Sequence, residues 1–96
     1  MRADKTTERL NAIVESVESV PLRDELVHQF FIVNALQFAQ FLHSLSLPDA
    51  TKGKLLALKV GMPPSYKGVD LGPLVERAAE QMWARLAENV RGLGTL

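Results

Sequence analysis

The chain has 96 residues, 47% of them hydrophobic, no cysteine, and eleven basic side chains balanced by eleven acidic ones. That length fits one domain with a modest core, and that hydrophobic content excludes wholesale disorder. The lack of cysteine excludes a disulfide framework, a thiolate metal site and a Cys nucleophile, and zero net charge leaves no global field to draw in nucleic acid or an anionic membrane.

The first eight residues, Met1 to Glu8, hold acids and no apolar core, so they do not read as a signal peptide. A first helix is predicted over residues 6–19, N-capped by Asp4 or Thr6, with Leu10, Ile13, Val14 and Val17 at helical spacing. Pro21 then sits where a first-turn proline belongs, with Asp24 and Glu25 near the positive end of the next helix dipole. This second helix is predicted over residues 21–45, about 36 Å long at about 1.5 Å per residue. Ser46-Leu47-Pro48-Asp49 is another start signal, with Ser46 as the cap, and a third helix over 48–60 ends where Gly61 takes the left-handed conformation. Residues 62–72, with two prolines and two glycines, read as a loop; Pro73 opens a fourth helix over 73–91. No strand-like alternation and no internal repeat is present. The expected fold is all-α: a four-helix-bundle-like single domain with a long, uncharged second helix.

From Val27 to Pro48 the chain runs 22 residues without Asp, Glu, Lys or Arg, and all four phenylalanines lie there. The stretch nearly matches the roughly 20 residues that span a bilayer, yet its carboxamides, imidazoles and serines would each carry a desolvation cost in hydrocarbon. The chain therefore reads as soluble and cytoplasmic, without a membrane role. On a helical wheel Val27, Phe31, Asn34, Phe38, Phe41 and Leu45 recur at spacings of 4, 3, 4, 3 and 4, the rhythm of a coiled-coil seam. Phe30 borders that seam, and Ile32, Ala35, Ala39, Leu42 and Leu36 form a second apolar arc. A helix apolar around most of its circumference is a buried helix. It serves either as the centre of a monomeric bundle or as a partner-binding seam that meets a second copy of the chain. In the second case Asn34 fixes register at some expense of stability; in the first it bonds a neighbouring backbone group. A pocket between helices for an apolar ligand is a third, lesser reading.

No catalytic constellation is present. His28 and His43, the only histidines, would lie about 22 Å apart on one helix and cannot share a metal. Asp24, one turn before His28, gives that imidazole a structural neighbour. Ser44 and Ser46 lack a glycine elbow and a base, Glu76 and Glu80 lie among Arg77, Gln81 and Arg85 on a solvated face, and no phosphate-binding glycine loop occurs. No cofactor and no metal are expected.

Lys52, Lys54, Lys59 and Lys67 fall in a segment, Ala50 to Val69, without an acid. Leu56 to Met62, followed by Ser65-Tyr66, has the outline of the first helix and turn of a helix-turn-helix, with these lysines as nucleic-acid contacts. Against it, Pro63-Pro64 fall where a recognition helix would begin. Pro63-Pro64-Ser65-Tyr66 also fits the P-P-x-Y pattern read by WW domains; the blander expectation is that Tyr66 folds back over the core. Trp83 lies beside the apolar stripe of helix four. The preferred expectation is a small non-enzymatic interaction or regulatory protein, acting through the helix-two seam as a homodimer; the alternative is a nucleic-acid-binding regulator with a degenerate helix-turn-helix at 50–70.

Overall fold

The computed structural model describes residues 5–63 and 65–94, which form helices α1 (Lys5–Val14), α2 (Val20–Ile32), α3 (Ala35–His43), α4 (Asp49–Lys59) and α5 (Gly72–Gly94) and one short hairpin, β1 (Ser65–Tyr66) with β2 (Val69–Asp70). The protein is mostly helical, as its composition and punctuation predict, but the helices divide the chain differently.

The helix expected over 6–19 stops at Val14. Ser16 folds back, its hydroxyl donating to the Ile13 carbonyl at 2.9 Å, and the Val17 amide donates to Val14 at 2.9 Å. Ser19 belongs to the next element instead. Its side-chain oxygen accepts from the Leu22 amide at 3.4 Å, Pro21 lies in the first turn, and Arg23 Nε donates to the Val17 carbonyl across the connection.

The long helix expected over 21–45 is two helices. Val33 and Asn34 are extended (φ −116°, ψ 161° and φ −78°, ψ 174°), and the Asn34 side chain accepts from the Gln37 amide at 2.9 Å as the N-cap of α3. The break decides how the phenylalanines pack. In a straight helix Phe30 and Phe38 would stand about 12 Å apart along the axis; here their rings meet edge-on with centroids 5.6 Å apart. Phe31 meets Phe30 edge-on at 5.1 Å and Phe41 lies 6.3 Å from Phe38, so all four rings form one folded series.

Helix α4 ends as expected. Gly61 has φ +81°, the Met62 amide donates to Ala57 and the Gly61 amide to Leu58, the paired bonds of a Schellman cap. Its start differs: Pro48, not Ser46, holds the N-cap position, with no side-chain cap bond. The expected loop at 62–72 contains the hairpin, in register Ser65↔Asp70 and Tyr66↔Val69. Lys67 and Gly68 at its tip have φ +49° and +80°, the left-handed pair that a tight two-residue hairpin turn requires. Tyr66 stands out from the surface at 61% exposure rather than folding over the core. An Asp70 carboxylate oxygen accepts from the Gly72 amide at 2.8 Å where α5 begins, and α5 runs past Arg91 to Gly94.

The central element is α4, not the uncharged stretch. Lys52, Gly53, Leu55, Leu56, Ala57 and Leu58 are all buried, and α1, α3 and α5 pack around them. α4 and α5 run antiparallel and cross at Gly53. A Cβ at that position would lie 2.8 Å from both the carbonyl carbon and the oxygen of Ala79 and 3.0 Å from the Glu80 amide nitrogen, all of them backbone atoms that cannot swing aside. Leu10, Leu26, Phe38 and Leu42, from the other three helices, are fully buried around this pair.

Two stability outcomes follow, both checked by chemical denaturation. Gly53→Ala gains up to about 1 kcal/mol of helix propensity but forces the crossing apart, which costs about 1–3 kcal/mol, so the variant is expected to be less stable than the parent. Phe38→Ala and Leu42→Ala each lose about 2–5 kcal/mol, whereas Ser65→Ala on the exposed hairpin stays within about 0.5 kcal/mol.

Candidate functional site

The six seam positions do not share one face. Phe38 is fully buried in the chain's own core; Val27, Phe41 and Leu45 are half-buried and packed against it. Phe31 is 54% exposed, and Asn34 is occupied as a helix cap at the surface. The 4-3 rhythm survives in the sequence, but the break at Val33-Asn34 turns its two halves onto differently directed helices.

What the break leaves outside is an apolar corner. Phe31 and Ile32 at the end of α2 and Leu36 in the first turn of α3 are 54%, 59% and 48% exposed. The Phe31 ring meets the buried Phe30 ring in a T-shaped pair. His28, Gln37 and Gln40 are exposed beside them, no Asp, Glu, Lys or Arg occurs between Val27 and Pro48, and the Lys59 ammonium lies against the neighbouring Phe30 ring. Among the described residues no helix is long and apolar enough to cross a membrane.

The four lysines proposed as nucleic-acid contacts are each engaged within the chain, at separate places. Lys52 is 7% exposed, its ammonium 5.0 Å from the centroid of the Trp83 ring. Lys54 pairs with Glu76 at 3.1 Å on the surface, an interaction worth about 0–1 kcal/mol in water. Lys59 donates to the Phe30 carbonyl and lies 5.1 Å from that ring, and Lys67 lies 5.3 Å from the Tyr66 ring. A recognition helix is also lacking, because the residues after Gly61 lead into the hairpin. The arrangement does not assemble a basic face.

A second feature, not foreseen from the sequence, lies at the other end of α4. A cleft of about 520 Å³ is lined by His43, Asp49, Lys52, Trp83, Ala84, Ala87 and Glu88. The Trp83 indole donates to an Asp49 carboxylate oxygen at 3.3 Å, and the His43 ring lies 6.5 Å from the indole. Trp83 is 3% exposed and carries Lys52 on its face. The spacing of Asp49 and Lys52, one turn apart on α4, was visible in the sequence. Their meeting with Trp83 and Glu88 was not, because it follows from the α4–α5 crossing. Among the described residues no group of three His, Asp or Glu side chains is placed to hold a metal ion.

The chain matches no model of a known protein family, no curated protein and no solved structure.

The role of Asn34 is open to a direct test. Asn34→Ala removes the cap of α3 and is expected to cost about 1 kcal/mol, while Asn34→Asp, which keeps an accepting oxygen, restores most of it. Asn34→Leu is expected to lower the melting temperature, where a register-setting amide between two seams would instead give a rise.

Proposed function

We propose that this is a small non-enzymatic interaction protein that works as a homodimer, with the α2–α3 corner as the contact between two copies. The observation that carries the reading is the exposure of Phe31, Ile32 and Leu36 on either side of the α2–α3 break. A cluster of large apolar side chains left in water is an association surface by the ordinary logic of burial, with an aromatic at its centre as the anchor. A second copy suits it on two counts. The stretch that supplies the corner, Val27 to Pro48, holds no Asp, Glu, Lys or Arg, so its own residues bring no like-charge repulsion to a two-fold contact. The whole chain is also neutral, so no long-range repulsion holds copies apart.

This replaces the straight seam with a smaller surface. Of the six seam residues Phe31 is its core, Val27 can contribute from the rim, and Phe38 belongs to the fold of each subunit.

Light scattering at tens of micromolar is expected to give twice the 10.6 kDa mass of one chain. The double variant Phe31→Ser/Ile32→Asn, changed only at exposed positions, is expected to give the single-chain mass with unaltered helical circular dichroism. A monomer for the parent chain at every concentration up to about 1 mM, weaker than the micromolar affinity of a modest specific contact, overturns the reading.

A further inference from the structure

Helix α2 keeps one face in water. Val20, Asp24, His28 and Ile32 recur every fourth residue, the row that forms a ridge on a helix surface, and Pro21 and Phe31 flank its two ends. All six are exposed, Val20 at 58%. The ridge has apolar ends and a polar middle. In that middle Asp24 and His28 stand one turn apart, and neither makes an ion pair or a side-chain hydrogen bond among the described residues. Glu25 at the edge of the ridge accepts from the Gln29 side-chain amide at 2.9 Å. The corner of Phe31, Ile32 and Leu36 is by itself a small surface. A specific interface covers roughly 800 Å² on each partner, more than three partly exposed side chains supply, so a contact made at the corner has to continue onto an adjoining face. The face of α2 that already includes Phe31 and Ile32 is such a continuation.

The ridge is complementary to its own reverse. With α2 antiparallel to α2 of a second copy and the two-fold axis level with Leu26, Val20 lies opposite Ile32, Pro21 opposite Phe31 and Asp24 opposite His28, each pair occurring twice. A parallel alignment would set Asp24 on Asp24 and His28 on His28. In the antiparallel one the two Asp24 carboxylates are displaced by four residues, about 6 Å along the axis, and each faces an imidazole. An imidazole carries an N–H that donates to a carboxylate in either protonation state. We infer that two copies associate through α2 packed antiparallel on α2, with Phe31 and Ile32 of one copy against Pro21 and Val20 of the other, and Asp24 of each accepting from His28 of its mate. This rests on the corner being a contact between copies and specifies its geometry. The two corners lie at the ends of the interface, and the Asp24–His28 pairs fix its register in the middle.

The chain has no cysteine, so one introduced thiol per chain forms disulfides only between copies. Full-length Asp24→Cys and His28→Cys chains are mixed in equal amounts and oxidised under native conditions. The antiparallel register is expected to give the mixed 24–28 disulfide well above the share that random pairing gives. Charge exchange supplies a second readout, by light scattering over a concentration series. His28→Asp sets a carboxylate opposite each Asp24 and is expected to weaken the dimer by about 100-fold or more. Asp24→Lys/His28→Asp restores opposite charges across an antiparallel contact and is expected to return the affinity to within about tenfold of the parent. A parallel contact would set like charges together in that double variant. Circular dichroism checks that the helices are intact in both. Disulfides formed at random or only like-with-like, or a His28→Asp chain that dimerises as the parent does, overturn the antiparallel contact. If Phe31→Ser/Ile32→Asn still gives single chains, the corner survives that result as the association surface. A parent chain that is monomeric throughout overturns both, and the cysteine pair keeps the test decisive should a charge variant fold poorly.

Discussion

The close crossing of α4 over α5 at Gly53 sets the rest of the molecule. Two helix backbones approach there within the space that a single methyl group would fill, and this nearness is what allows α4 to sit inside the other helices. The contact repeats in both directions at one-turn intervals. Asp49 meets Trp83 four residues to one side, since 49 and 53 are one turn apart on α4 as 79 and 83 are on α5. On the other side Ala57 and Val75 line a common cleft of about 390 Å³ with Arg9 and Ile13. Gly53 and Ala57 on α4 lie against α5, while Leu55, Leu56 and Leu58 belong to the shared core. A buried lysine at 52 is a consequence: with its neighbour Gly53 pressed on Ala79, Lys52 has the Trp83 face as its nearest wall.

The second organising feature is the break at Val33-Asn34. It costs α2 and α3 the hydrogen bonds that a continuous helix would make there, and one of the orphaned donors, the Gln37 amide, is satisfied by Asn34. In return Phe30 and Phe38 pack edge to face, and both are buried at 5% exposure or less. The same turn leaves Phe31, Ile32 and Leu36 outside. An apolar stretch wrapped as one straight helix would have hidden one face completely; folded back at its middle, it hides Phe38, Ala39 and Leu42 and displays its bend.

Several basic side chains make contacts within the chain. Lys59 braces the end of α2 by donating to the Phe30 carbonyl, one of the last acceptors of that helix, where a cation also suits the helix dipole. Arg9 of α1 reaches the Met62 carbonyl beyond the end of α4 at 3.4 Å. These two contacts fasten helix ends to other elements.

The sequence by itself determined what depends on neighbours within about one turn. The helical class, the Gly61 cap of α4, the first-turn Pro21 of α2 and the opening of α5 around Pro73 were all legible, because caps and prolines act on hydrogen bonds three or four residues away. The depth of Phe38 and Leu42 was legible too, from a stretch that is apolar around most of its helical circumference. Only the tertiary structure decided the break at Asn34, since the 4-3 spacing of Val27 to Leu45 is the same for a straight helix and a folded one, and an asparagine reads equally as a seam amide or as a cap. It alone placed α4 at the centre: α4 holds two lysines and a glycine, so its hydropathy understates its burial, and the value of Gly53 lies in the Ala79 backbone 26 residues further on. The cleft was invisible for the same reason. Lys52 and Trp83 each had an ordinary role when read along the chain, and they acquired a common one only when the crossing brought α4 and α5 within reach.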